Sequence, residues 1–223
     1  LGDEPVEMLF VGPAQRASTP PNPPRLDFAR LDNRSYVRKN EPDVDMYMGS
    51  WRDEVPRIMH GNIYFRDMLT TLEGTDPLHP TRTGAVLTHA TAVSFAQLEP
   101  DAKARPMDGE LTGIQQSFVV DSGTGTITSG GKTIALEQGM AFTIAPGMDF
   151  QLLATGKSYL NFYVVSERIP AGKAPSTKLQ VVNNRAVPQK TNSWHNKERR
   201  LITVKDGLLQ YGAITQVELG AMA

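Results

Sequence analysis

The chain contains no cysteine. Disulfides, thiolate metal centres and cysteine nucleophiles are therefore excluded, while the compartment stays open. It has no run of about 20 apolar residues, the length a membrane-spanning helix needs. It has no excess of one charge: 23 Lys and Arg stand against 24 Asp and Glu, a net charge of -1. Binding to phosphates needs a basic surplus, so no nucleic-acid partner is expected. The densest basic run is only KERR at 197–200. Strands do not alternate with long helical patterns, which argues against a doubly wound α/β fold. No G-x-x-x-x-G-K loop and no H-E-x-x-H pair occurs. The four histidines, His60, His79, His89 and His195, are far apart in sequence.

What is present divides 223 residues into three stretches. Residues 1–58 form an extended, Pro-rich N-terminal arm and lead-in, with Pro5, Pro13, Pro20, Pro21, Pro23 and Pro24 marking it. Proline removes backbone donors and favours extended chain, so this is an arm that lies loose or runs along a partner surface. The start at Leu1 with the acidic LGDEP suits an exported protein, periplasmic or extracellular, processed after its signal peptide. Asn33 opens a glycosylation sequon and Asp43 and Asp45 form a D-x-D pair. Chance in a polar segment and a solvated loop are the preferred readings of these two. Met46, Met48 and Trp51 read as packing residues.

From residue 84 the pattern is β. Leu87, His89, Thr91, Val93 and Phe95 alternate with Val86, Thr88, Ala90, Ala92 and Ser94. Period-two alternation with β-branched residues predicts a strand. Short strands between Gly turns follow, QSFVVD, GTITS, KTIAL, MAFTIA, DFQLLAT and YLNFYVVSE. This spacing predicts an all-β barrel or sandwich over 59–168. Residues 169–223 read as a linker and C-terminal strands. AVSFAQL at 92–98 and AITQVEL at 213–219 share apolar alternation, a hint of duplication in which a second barrel would begin near the end of the sequence.

One stretch carries more. Gly139, five residues (MAFTI), then Ala145, Pro146 and Gly147, then Phe150 and Ala154, lead through Gly156 into YLNFYVV. Gly123 and Gly125 turn the chain after GIQQSFVVDS. These residues resemble the two motifs of the cupin superfamily, antiparallel jelly-roll β-barrels. The resemblance implies a cupin-like jelly roll with a long irregular arm and a C-terminal extension. It also implies a metal held by three imidazoles and a carboxylate, ligands suited to Fe, Mn, Zn or Ni. In this chain Phe150 falls on one His position, Ala154 on the Asn position and Gln116 on the Glu position. Residues 104–117 hold no His for the remaining pair. Phe cannot coordinate and Gln is a weak neutral ligand, so no metal and no other cofactor is expected in this barrel. The turn residues persist because they set backbone geometry.

Two functions follow from the resemblance. The first is a metal-free, degenerate cupin domain with a binding or assembly role. Its pocket would be lined by Gln116, Phe150 and His89, filled by side chains or open to a small-molecule ligand. The second is the N-terminal half of a two-cupin metalloenzyme, a dioxygenase, decarboxylase, isomerase or lyase, with a transition metal in a barrel beyond Ala223. No catalytic residue is assigned in either case. Free sheet edges and extended arms suit a homo-oligomer.

Overall fold

A computed structural model describes residues 6–13, 56–70, 75–76, 79–83, 90–191, 197–203, 207 and 211–219. Among the described residues every regular element is a strand except one short 3-10 turn, Asn184–Ala186, and there is no α-helix. In chain order the strands begin with β1 (Val6–Pro13), β2 (Arg57–Met59), β3 (Ile63–Thr70), β4 (Thr75–Asp76), β5 (His79–Thr83) and β6 (Ala90–Leu98). The barrel continues through β7 (Lys103–Ala104), β8 (Ile114–Ser122), β9 (Gly125–Ser129), β10 (Lys132–Leu136), β11 (Met140–Ile144), β12 (Gln151–Ala154) and β13 (Leu160–Arg168). After it come β14 (Val181–Asn183), β15 (Lys190–Thr191), β16 (Lys197–Thr203) and β17 (Tyr211–Leu219).

A seven-stranded antiparallel sheet in the order β14-β11-β8-β13-β6-β3-β2 faces a four-stranded sheet in the order β10-β9-β12-β7. Between them lies one apolar core that includes Phe65, Leu98, Phe118, Ile127, Leu136, Phe142, Leu152 and Phe162. From β6 to β13 the connections pass back and forth between the two sheets, the β9–β10 hairpin excepted, which is the jelly-roll pattern that the motif resemblance implies. Local chemistry explains the turns. The β9–β10 hairpin closes through Gly130 and Gly131, both with positive φ, as a two-residue turn of the primed class demands.

Strand β8 shows why its sequence does not alternate. Gln115 through Val120 are all buried. Gln116, Phe118 and Val120 face the barrel core, while Val119 faces the other way. A second cluster, Val119, Ala141, Val165, Leu201, Ile202 and Ile214, fills that outer side. Val119, Ala141 and Val165 come from the main sheet itself, and Leu201, Ile202 and Ile214 from a further four-stranded sheet in the order β1-β17-β16-β15. The main sheet is thus a middle layer, covered on both faces.

Two parts of the sequence look different in three dimensions. Val6–Pro13, within the stretch read as an arm, forms a strand paired along its length with β17. Pro13 is its last residue, reached after a register shift at Gly12, a place that an edge strand allows. The segment around Ile214 packs against the barrel's outer face, with Ile214 fully buried.

Candidate functional site

The β2–β3 turn is the origin of the site. His60 and Gly61 have φ of 53° and 81°. A non-glycine residue in this region is uncommon and must be held by its surroundings. Three contacts hold it. The His60 backbone N–H donates to both carboxylate oxygens of Glu110, at 3.0 and 2.8 Å. The Arg105 N–H donates to the His60 carbonyl at 3.0 Å. Asn62 Nδ2 donates to the Lys103 carbonyl at 2.6 Å.

Clamped in this way, the imidazole enters the open end of the barrel and is completely buried. It lies edge-on to Phe150 at 5.4 Å and to Phe65 at 6.1 Å between centroids, and tilted over Phe118 at 6.4 Å. Its Nε2 is 2.8 Å from Gln116 Oε1. Gln116 Nε2 in turn donates to Ser166 Oγ at 3.2 Å. This amide orientation leaves Oε1 as the acceptor, so His60 Nε2 carries the hydrogen. Nδ1 comes within 3.2 Å of Glu110 Oε2. The pair is not aligned for a hydrogen bond, and Nδ1 has no hydrogen-bond partner.

Above His60 opens a cavity of about 330 Å³. The loop over 106–112 forms one wall and the turn over 145–149 the other, with His60 between them. The walls are apolar at Met107, Leu111, Ala145 and Met148, and acidic at Asp108 and Asp149. The turn wall is the Pro-Gly segment identified from sequence. Gln116 and Phe150 are brought together, both against the His60 ring, and neither lines the cavity wall. His89 lies outside the described residues. Phe95, placed on the same strand face by alternation, packs against Tyr163 on the outer side of the sheet.

His60 is the residue that the sequence did not single out. It is 56 positions from Gln116, and no local spacing connects them. The available signal was the tripeptide HGN between the short apolar runs RIM and IYF, a turn that had to point its first side chain somewhere.

The residues present do not fit the metal that cupin barrels usually hold. Among the described residues no three His, Asp or Glu side chains converge. Gln116 and Phe150, which the motif resemblance aligns with two ligand positions, cannot serve as strong ligands, and the Glu110 carboxylate is engaged by the His60 backbone. One imidazole and one committed carboxylate fall short of a three- or four-ligand set.

The electrostatics give a prediction. Burial lowers the pKa of His60 below its ordinary 6.5, against the opposing effects of the Gln116 hydrogen bond and the Glu110 carboxylate, with Arg57 adding to the lowering. Below 6.5 the unfolded chain binds a proton here that the folded chain resists. Stability is therefore full above that value and falls as pH drops toward the folded pKa. Urea melts between about pH 7.5 and about pH 5 should show a steeper loss for the native chain than for His60→Gln. Parallel curves would remove His60 as the cause.

No family model matches this chain, and no curated protein matches it. Solved structures do resemble it. A protein from Pseudomonas aeruginosa named for induction by glyoxylate aligns with a TM-score of 0.48 and 12% identity, over 72% of this chain and 73% of its own. A predicted oxalate decarboxylase from Thermotoga maritima aligns at 0.42 and 15%, over 55% of this chain and 100% of its own. A Cupin 2 conserved barrel domain protein from Salinispora arenicola aligns at 0.38 and 11%, over 56% and 88%.

Proposed function

We propose that this chain, which has the cupin-superfamily fold, is a metal-free binding domain that takes a small organic molecule in the cavity above His60. The observation behind this reading is the His60–Gln116 hydrogen bond. A side chain from the β2–β3 turn fills the depth where the family places its metal, and Gln116 answers it instead of coordinating. The space that remains is shallow, mostly apolar and bounded by a few polar groups, the usual make-up of a ligand site. Assembly belongs to the same reading, because self-association is the common way to cover sheet edges.

The experiment is elemental analysis of the purified chain, combined with protein-observed NMR against a set of small fragments. Transition metal well below one per chain is expected, with fragment-induced shifts confined to residues 106–112 and 145–149. Stoichiometric metal on this chain would sink the metal-free part, and a fragment set that leaves both walls unshifted would sink the binding part. A two-cupin enzyme makes a different forecast: a natural polypeptide longer than this sequence, carrying about one transition metal per chain. Light scattering tests self-association, and a monomer at micromolar concentration would remove it.

A further inference from the structure

We propose that the ligand of this cavity is a small organic cation, an alkylammonium with a short apolar body. The inference rests on the binding reading above and narrows it. Size comes first. A volume of about 330 Å³ holds roughly ten waters at ~30 Å³ each, which bounds the ligand at about that many non-hydrogen atoms.

Charge comes second. Asp108 and Asp149 are the charged side chains in the cavity wall, and no Lys or Arg joins them there among the described residues. A concave site lined by one sign of charge concentrates the opposite sign. A carboxylate ligand would meet like charge with nothing to offset it.

Hydrogen bonding is the independent observation. The neutral imidazole of His60 carries its hydrogen on Nε2, toward Gln116, so Nδ1 is a bare lone pair. This nitrogen is buried, has no partner, and sits on the side of the loop that walls the cavity. Glu110 Oε2 lies 3.2 Å away and is itself an acceptor, taken up by the His60 N–H. The carboxylate is already satisfied by the His60 N–H, so Nδ1 alone is left without a donor, which is costly for a buried acceptor. An ammonium group brings N–H donors, which Nδ1 lacks, and a positive charge, which Asp108 and Asp149 favour. The apolar walls at Met107, Leu111 and Met148 then take the alkyl body.

The test is an NMR titration of the full chain with three molecules of matched size: n-butylammonium, butyrate and 1-butanol. Butylammonium should shift the cavity residues and bind about tenfold more tightly than butyrate, about 1.4 kcal/mol. In Asp108→Asn/Asp149→Asn, two exposed substitutions, this preference should shrink several-fold. Equal or tighter binding of butyrate or butanol at the same residues overturns the cationic class and leaves the binding reading standing. An undiminished preference in the double variant also overturns it. If neither these molecules nor the fragment set shift the cavity, both readings fall together.

Discussion

Phe118→Ala should lower the free energy of unfolding by about 3–5 kcal/mol, the range for deleting a large buried aromatic. Phe118 is fully buried at the centre of the barrel. It stacks on Phe142 at 5.1 Å with ring planes 4° apart. It meets Phe162 edge-on at 5.4 Å and Phe65 edge-on at 6.1 Å. Such aromatic pairs add roughly 0.5–1.5 kcal/mol each beyond the area they bury. These rings come from β3, β8, β11 and β13, so the space left by alanine has no single flexible neighbour to fill it. The His60 ring also rests on Phe118, and its environment should loosen. The measurement is a urea melt, with the midpoint read against an unchanged slope. A loss below about 1.5 kcal/mol would mean the cluster repacks and is not the barrel's keystone.

Gly123→Ala should cost about 3 kcal/mol, more than backbone strain explains. Gly123 has φ of +87°, where an L side chain costs about 1–2 kcal/mol. An added Cβ would also lie 2.3 Å from the Tyr159 carbonyl oxygen and 2.9 Å from Leu160 Cα, both backbone atoms at the start of β13. Backbone cannot rotate away, so β13 must shift relative to β8. Gly147→Ala is the internal control. Its φ is +74° and nothing lies within 4 Å of the new Cβ, so only the conformational cost applies. Equal losses at the two positions would show that the close approach at Gly123 is relieved freely.

These glycines also show how much was legible in advance. Gly123, Gly139 and Gly147 could be recognised because tight turns demand positive φ, and all three have it. The strands from 114 to 168 could be read because short apolar runs between such turns have few other places to go. In the site, Gln116 and Phe150 were found through the turn motifs that fix their register, and they lie against the same imidazole. His60 could not be found in that way. It reaches the barrel from a separate hairpin, and its importance comes from contacts with Glu110 and Gln116 that are 50 and 56 residues away. The Val6–Pro13 strand was hidden for a related reason. Its partner is β17, at the other end of the chain, and its own proline-flanked sequence favours extended backbone without naming a neighbour.

That last pairing carries a consequence for synthesis. Val6 is matched with Leu219, so β1 leaves the ribosome long before its partner β17. At about 5–20 residues per second, β1 waits roughly 10–40 s for its partner. Throughout that interval VEMLFVG is an apolar, unpaired edge on a nascent chain whose barrel, from β2 to β13, is already able to close. The outer layer is thus open to chaperones and to wrong pairing for longer than the barrel beneath it, which can close first.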